Sequence, residues 1–195
     1  HNEAVAQKIK WMMDLIADKV YNPQLHRQEV FFDAEWNSMI DLHSYGHDIE
    51  TAWLVDRGVE VLGDAEVQKK MFPITSDLTQ QIYQTAYCNH SLANECEKGV
   101  VDTWRIWWVQ AEAVVGFLNG YEKSGNKAYL DAVEHIWNFI KTHLIDDRDG
   151  YEQGREWYWK VTAEGVPDEK KPIVEPWKCP YHNGRMCFEV IRRDS

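Results

Sequence analysis

Apolar residues recur at helical spacing along most of this chain of 195 residues, and that periodicity restricts its fold more than any other feature. In the clearest segment, Val109, Ala113 and Phe117 fall on one face of a helix. Polar breaks and breaks that contain Gly or Pro separate the segments. The pattern predicts helices over approximately residues 3–20, 46–63, 65–89 with an interruption near Pro73, 104–122, 127–144 and 181–193.

The connections between the predicted helices are long and contain short β-like stretches. Residues 28–36 and 156–162 are expected to form strands or hairpins, and a polar turn is expected from Asp146 to Gly150. Three successive helical pairs joined by such loops favour an all-α fold, the (α/α)6 toroid or barrel, in which sites form where loops meet the ends of inner helices. The predicted helices would supply half of such a barrel within one domain.

The composition narrows the range of partners. The formal net charge is −11, which argues against nucleic acid and anionic membranes, and no apolar run has the length of a membrane span. Ten Trp and nine Tyr residues suit a carbohydrate ligand, because aromatic faces pack on the C–H faces of sugars. The four cysteines contain no C-x-x-C motif, so they are interpreted as reduced structural thiols of a cytoplasmic protein.

A first candidate motif is the segment from Ser44 to Trp53, S-Y-G-H-D-I-E-T-A-W. If a helix begins just before its histidine, then His47, Glu50 and Trp53 share one face, because residues three apart are neighbours on a helix. The carboxylate could then fix the tautomer of the imidazole. The alternative is that His47 only caps the helix and Glu50 is solvated.

A second motif, P-W-K-C-P-Y-H-N-G-R, covers residues 176–185. His182 would stand at a helix start, with Arg185 one turn later, where an arginine can hold a carboxylate or stabilise an enolate oxygen. Trp177, in a loop bounded by prolines, could form a wall of the site. The alternative is a structural histidine that is satisfied by backbone groups in a C-terminal cap.

A third motif contains Trp108 and Glu112, which are four residues apart and therefore lie on the same helix face. A ring that stacks on a sugar and a carboxylate that accepts hydroxyl hydrogen bonds form a sugar-binding pair. Trp104 and Trp107 are expected in the core. The alternative is that Trp108 is also a core residue and that Glu112 is exposed.

Two histidines on opposite walls of a site suit proton transfer at carbon. In an open-chain aldose the C1 aldehyde acidifies the C2 proton, so the imidazole of His47 or His182 can remove it and give a planar enediolate. The other imidazole returns a proton to the opposite face and inverts C2. No metal or other cofactor is predicted if Arg185 and other donors stabilise the enediolate. The histidines outside these motifs are expected to be structural or exposed: His1, His26, His90, His135 and His143. His43, four residues before His47, is expected in the loop that precedes the helix.

The chain resembles the N-acylglucosamine 2-epimerase superfamily in three ordered motifs, S-Y-G-H-D-I-E-x-x-W, W-W-V-Q-A-E and P-Y-H-N-G-R-M, and in F-F-D-x-x-W at residues 31–36. Within that superfamily it is most similar to cellobiose (mannobiose) 2-epimerases. The resemblance implies a cofactor-free (α/α)6 barrel that acts on the reducing-end glucose or mannose of β-1,4-linked disaccharides. The residues that it assigns to the site are the acid/base pair His47 and His182, the supporting Glu50 and Arg185, and the sugar contacts Trp53, Trp108, Trp177 and Glu112.

The resemblance covers residues 1–195 as the C-terminal half of such a barrel. The N-terminal half of the family supplies an Arg and a helix bearing Asn and His to the same pocket, so this half is expected to need that partner or self-association. Three alternatives stay open. An aldose–ketose isomerase would share the histidines. An (α/α)6 glycoside hydrolase would use Glu50 and Glu112 and leave the histidines without roles. A non-catalytic sugar-binding half-barrel would use the Trp residues alone.

Overall fold

The structure, a computed structural model, describes residues 2–146 and 156–194, so the predicted polar turn lies outside it except for Asp146. Helices dominate this part of the chain, which confirms the predicted all-α class with short β-hairpins in the loops. None of the helices there combines the length and hydrophobicity that a membrane crossing requires. The α-helices are α1 (Glu3–Leu15), α2 (Tyr45–Leu62), α3 (Ala65–Thr85), α4 (Trp107–Ser124), α5 (Lys127–Phe139) and α6 (Tyr181–Arg193). Single π-helical turns extend α1 over Ile16–Val20 and α5 over Ile140–Leu144.

Three helices, α2, α4 and α6, form an inner layer, and their neighbours in sequence pack outside them. α4 lies in the middle and packs on α2, on α6 and on the outer helix α5, while α3 packs on α2. Most of α4 is therefore buried, and Val109, Ala113 and Phe117 are fully buried, as predicted. This alternation of inner and outer helices is the arrangement of an α/α toroid.

The close approach of α2 to α4 depends on two glycines. A Cβ atom on Gly116 would lie 2.9 Å from the backbone oxygen of Ile49. A Cβ atom on Gly46 would lie 2.4 Å from Cη2 of Trp108. Real Cβ atoms do not approach other atoms so closely, so both positions require a residue without a side chain. The contact of Gly46 brings the first turn of α2 against the first turn of α4, and that of Gly116 continues the close approach toward the middle of α4.

Short antiparallel strands connect the helices at the end of the molecule where α2 and α4 begin. The strands are β1 (Tyr21–Asn22), β2 (Arg27–Gln28), β3 (Leu42–Ser44), β4 (Tyr87–Cys88), β5 (Ser91–Leu92), β6 (Glu95–Glu97), β7 (Val100–Asp102), β8 (Arg105–Ile106) and β9 (Lys160–Val161). A three-stranded sheet in the order β3–β6–β7 leads into α2. β8 leads directly into α4 and pairs with β9, so the start of α4 is tied to the segment that precedes α6.

The predicted interruption near Pro73 is wrong, because α3 continues through this residue. The proline is exposed, whereas Met71, Thr75 and Leu78 around it are buried. Packing of this buried face against α2 outweighs a helix-interior proline, which costs about 3 kcal/mol. The helix ends at Thr85, before the predicted residue 89, because the next residues form the β4–β5 hairpin.

Other predicted boundaries also shift. Residues 28–36 were expected to be β-like, but they contribute only the end of the β1–β2 hairpin and one isolated bridge. α4 begins at Trp107 instead of near Trp104, because β8 pairs with β9 at this point. In residues 156–162 only β9 is a strand. The last helix, α6, has the predicted bounds.

All four cysteines are free thiols. Cys88, Cys179 and Cys187 are exposed, so they lack the buried environment expected of structural thiols. Cys96 is half-buried beside Tyr45. Burial, together with Cys96, raises the pKa of Tyr45 to about 12.

Candidate active site

The three predicted motifs meet at the end of the inner layer where α2, α4 and α6 begin. Trp108, in the first turn of α4, is half-buried, and its ring centroid lies 4.9 Å from that of His47 and 5.3 Å from that of His182. The two imidazoles therefore flank one partly exposed indole. Residues 44–47 are called the α2 wall below, and residues 181–185 are called the α6 wall.

On the α6 wall, the imidazole of His182 is held by a buried carboxylate. Glu112 Oε1 lies 2.7 Å from His182 Nδ1, and the side chain of Glu112 is 1% exposed. Because an ionised carboxylate only accepts hydrogen bonds, Nδ1 carries the proton of this bond, and Nε2 is left for a substrate. Arg185 Nη2 lies 3.4 Å from the same Nδ1, but both groups are then donors, so the shorter bond to Glu112 sets the tautomer.

Arg185 ties two carboxylates of the site together. Its Nη2 donates to Glu50 Oε1 and, at 2.7 Å, to Glu112 Oε1. Trp53 Nε1 donates to the other Glu112 oxygen at 2.9 Å. Burial alone would lower the pKa of Arg185, but the hydrogen bonds and charges of Glu112 and Glu50 raise it above its ordinary value. The guanidinium therefore stays charged and offsets the acidic cluster.

On the α2 wall, the partner of His47 is Ser44 and not Glu50, contrary to the prediction. Ser44 Oγ lies 2.7 Å from His47 Nδ1. Glu50 Oε1 lies 3.9 Å from His182 Nδ1, because the glutamate reaches across the cleft to Arg185. His47 itself is exposed, and Ser44 is buried.

The predicted aromatic sugar contacts differ in the ring surface that they offer. Trp53 is only 2% exposed, and the guanidinium carbon of Arg185 lies 5.1 Å from its ring centroid, so this structure does not support the prediction that it stacks on a sugar. Its indole N–H orients Glu112 instead. Trp108 is half-buried, and Trp177, in the loop before α6, is 85% exposed. The last two retain ring surface for a ligand.

Comparison with known proteins agrees with this geometry. The family model described as N-acylglucosamine 2-epimerase (GlcNAc 2-epimerase) matches residues 1–183. The chain belongs to this family. The cellobiose 2-epimerase of Ruminococcus albus is 45% identical over 98% of the chain, and that of Eubacterium cellulosolvens is 46% identical over 96%. The matches cover 48% and 45% of these relatives, so the chain spans about half of their length.

Solved structures give the same result for this N-acylglucosamine 2-epimerase family member. A sugar epimerase from a ruminal bacterium has a TM-score of 0.94 and 45% identity, over all of this chain and 49% of its own. The cellobiose 2-epimerase of Bacillus thermoamylovorans has a TM-score of 0.91 and 44% identity, over 98% of this chain and 48% of its own. Their fold is the predicted (α/α)6 barrel, of which this chain supplies about half.

Two site residues of this family member escaped the sequence analysis. Tyr181 is next to His182, and its ring centroid lies 4.6 Å from the guanidinium carbon of Arg185 and 4.8 Å from the imidazole. Ser44 precedes His47 by three residues, which is the spacing of a capping box, so the sequence did contain a signal for it. The residues next to Tyr181 in the sequence did not indicate a site role for it, because its contacts depend on how α6 packs.

Lys178, a buried lysine that supports the α6 wall from outside the cleft, was also not predicted, and it is 1% exposed. Its Nζ donates to the backbone oxygen of Ile173 at 2.7 Å, lies 3.2 Å from Glu156 Oε1 and is 5.1 Å from the ring centroid of Trp107. Asn183, in the first turn of α6, donates to the same Glu156 oxygen at 3.0 Å. Burial lowers the pKa of Lys178, although the charge of Glu156 opposes this shift.

Two polar residues near the first motif form a separate buried pair. His43 Nε2 lies 2.9 Å from Asp48 Oδ2, and Asp48 has no exposed surface. Burial raises the pKa of Asp48, against the hydrogen bond and charge of His43. His43 belongs to β3 and not to a loop, and its ring centroid lies 4.8 Å from that of Tyr45.

The cleft also contains three groups of the kind that bind metal ions. One ligand atom each from Glu50, Glu112 and His182 lies within 4.8 Å of the other two. Arg185 Nη2, however, already bonds to Oε1 of both glutamates. A metal ion would have to displace this guanidinium, so the donor set fits an arginine better than a cation.

Proposed function

We propose that the intact protein inverts C2 of the reducing-end glucose or mannose of β-1,4-linked disaccharides, converting cellobiose to glucosyl-mannose, with His47 and His182 as the acid/base pair. The observation that carries this proposal is that two imidazoles contact the same indole, Trp108, and that each is hydrogen-bonded at Nδ1. Relatives with this architecture are named cellobiose 2-epimerases. Because the chain spans about half of those relatives, the activity is proposed for the whole protein.

The proposed reaction starts from the open-chain sugar, in which the C1 aldehyde acidifies the C2 proton. One neutral imidazole takes that proton at Nε2. The C–H electron pair forms the C1–C2 double bond while the carbonyl electrons move to O1, which gives the enediolate. The second histidine, as imidazolium, returns a proton from Nε2 to the opposite face of C2, so the configuration inverts. The reverse reaction exchanges the two roles, and Trp108 would stack on the sugar between them.

Negative charge on the enediolate needs fixed positive partners. The first turns of α2, α4 and α6 meet at the cleft, and helix N-termini carry partial positive charge. Arg185 is committed to Glu50 and Glu112, so in this proposal it holds those carboxylates and does not bind the enediolate through Nη2. We expect the remaining donors to come from the part of the barrel that this chain does not span.

The exposed apolar side chains of α6 fit the same view. Phe188 is 75% exposed and Ile191 is 66% exposed, which is a large apolar surface for one short helix. We propose that the rest of the barrel, or a second copy of this half, covers this surface. The working site would then have a disaccharide as substrate and walls from both halves.

Proton NMR of cellobiose in D2O with the intact protein tests the reaction. Deuterium at C2 together with a mannose-type reducing end is the expected result. A ketose product would point to an aldose–ketose isomerase instead, and released glucose would point to a glycoside hydrolase. The absence of all three, with sugar still bound, would contradict the proposal and favour a non-catalytic binding module.

Substitution of the two histidines tests the mechanism. His47→Ala and His182→Ala are each expected to lower epimerisation by at least about 10²–10⁴-fold, the usual contribution of general acid–base catalysis. His26→Asn is the matched control. His26 is an exposed histidine at φ 52°, a left-handed conformation that asparagine tolerates, and it should keep full activity. Near-normal turnover by either alanine variant would exclude the two-histidine mechanism.

A further inference from the structure

The side chain of Ser44 does not do what a serine at a helix start ordinarily does. Ser44 is the N-cap residue of α2, where a serine oxygen usually accepts a backbone N–H of the first turn. It makes no such bond. By contrast, Asp64 caps α3 and Asn126 caps α5 through side-chain oxygens that accept backbone N–H groups. The hydroxyl of Ser44 is instead bonded to His47, at 2.7 Å from Nδ1.

The serine side of this hydrogen bond is buried. Ser44 is 3% exposed, so water has little access to its hydroxyl. Glu50, the carboxylate that follows His47 on α2, is engaged by Arg185. In the described part of the chain, Ser44 is the side chain that hydrogen-bonds the imidazole of His47. Ser44 is therefore the protein group placed to select which ring nitrogen of His47 carries the proton in the neutral imidazole.

We propose that Ser44 is a positioning residue that sets the tautomer of His47, because its oxygen accepts the proton of Nδ1 and leaves Nε2 for the sugar. This inference rests on the function proposed above. An imidazole that both removes and returns a proton at Nε2 must keep the Nδ1 proton throughout. A serine hydroxyl can donate or accept. As an acceptor it suits both states of the ring, whereas as a donor it would leave Nε2 protonated in the neutral ring.

In this proposal His47 and His182 have the same tautomer, but a different kind of partner sets it on each wall. On the α6 wall, Glu112 can only accept, so the proton on His182 Nδ1 follows from its chemistry. On the α2 wall, a neutral hydroxyl does this work beside an exposed imidazole. Ser44 thus takes the role that the sequence assigned to Glu50.

Side-chain nitrogen NMR tests the tautomer without any turnover. The intact protein is labelled with 15N-histidine, and the His47 signals are assigned by their loss in His47→Gln. At a pH where this ring is neutral, we expect a protonated Nδ1 and an unprotonated Nε2. In Ser44→Ala we expect a mixture of both tautomers. The opposite tautomer in the unsubstituted protein would overturn the proposal, whether or not Ser44→Ala folds.

Kinetics provide the second arm of the test. Ser44→Ala should lower kcat by about ten- to a hundredfold with little change in KM, because the imidazole is misoriented while the sugar contacts remain. Ser44→Thr keeps a hydroxyl and should recover most of kcat. Asn126→Ala removes a true helix cap, so it should reduce stability but leave kcat and the His47 tautomer unchanged.

The outcomes separate this inference from the proposed function. Suppose that Ser44→Ala keeps both kcat and the tautomer of His47, and that His47→Ala is inactive. This result would overturn the role of Ser44 and leave the proposed function standing. An active His47→Ala would instead remove the two-histidine mechanism, and with it the kinetic arm. The tautomer of His47 in the unsubstituted protein would still decide whether Ser44 accepts the Nδ1 proton.

Discussion

The two walls of the cleft hold their imidazoles in opposite ways. On the α6 wall, His182 is bonded to Glu112, which is almost fully buried and also receives hydrogen bonds from Arg185 and Trp53. On the α2 wall, His47 is exposed, and its side-chain hydrogen-bond partner among the described residues is the neutral hydroxyl of Ser44. A charged, buried network links catalytic geometry to folding, whereas a single hydroxyl does not. Substitutions of Glu112 should therefore affect stability and turnover together, whereas substitutions of Ser44 or His47 can separate the two effects.

The largest expected effect comes from Glu112→Ala, which removes the carboxylate that holds His182 and Arg185 of the α6 wall. It removes at once the acceptor of Arg185, His182 and Trp53. Removal of one partner of a buried ion pair costs about 3–5 kcal/mol. We expect a loss of this size in the free energy of unfolding measured with urea, together with loss of epimerisation.

Glu112→Gln is the matched control for this substitution. It keeps the volume and one acceptor oxygen, so its cost in stability should be smaller than that of the alanine variant. Ser44→Ala should cost the least of the three, because Ser44 makes no capping bond. If Glu112→Ala and Ser44→Ala cost the same, the proposed contrast between the two walls does not exist.

The sequence predicted the positions of the walls better than their partners. The bounds of α6 were correct because its amphipathic pattern follows directly after Pro180. Helical spacing correctly placed His47 and Glu50 on one face of α2. It could not show that Arg185, 135 residues farther along the chain than Glu50, would draw the carboxylate across the cleft. Local periodicity fixes faces, but long-range packing decides which group each side chain meets.

Pro73 and Trp53 illustrate the same limit. Local rules correctly state that proline disfavours a helix interior, but the buried face of α3 against α2 decides the outcome. Trp53 has the right position for a sugar contact, and only the full packing of α2, α4 and α6 shows that its ring is covered. Neither result can be derived from a segment taken alone.

A second comparison of the walls uses one glycine from each. Gly46→Ala would place a Cβ atom 2.4 Å from Trp108 Cη2 and 2.8 Å from Val109 Cγ2. Such overpacking costs about 1–3 kcal/mol and should displace the indole that both imidazoles flank. On α6, the Cβ atom of Gly184→Ala would meet no atom of the described residues within 4 Å, and alanine should stabilise the helix by about 0.5–1 kcal/mol.

Urea unfolding of both glycine variants provides the measurement. The expected signs are opposite, with destabilisation for Gly46→Ala and stabilisation for Gly184→Ala. The activity of Gly46→Ala should fall with the displacement of Trp108, while that of Gly184→Ala should be retained. Equal stability of the two variants would show that α2 and α4 can separate without cost, which would contradict the close approach described here.

The smallest expected effect concerns the buried base of the α6 wall. Burial lowers the pKa of Lys178 in the folded chain, against the charges of Glu156 and Asp146. At pH values between that lowered pKa and the ordinary value of 10.5, the unfolded chain binds more protons than the folded chain. The free energy of unfolding should therefore rise with pH across this window, by about 1.4 kcal/mol for each unit of pKa difference.

Lys178→Met removes the titrating group and keeps the length of the side chain, so it should lose this rise in stability with pH. Urea midpoints of the variant and the unsubstituted protein are compared from neutral to alkaline pH. The difference between them isolates the contribution of Lys178 from that of the tyrosines. Lys69→Met, at an exposed position on α3, should keep the rise. Parallel curves for Lys178→Met and the unsubstituted protein would mean that water reaches this ammonium group. The base of the α6 wall would then be as open as the α2 wall, and burial could not be the reason for their different behaviour.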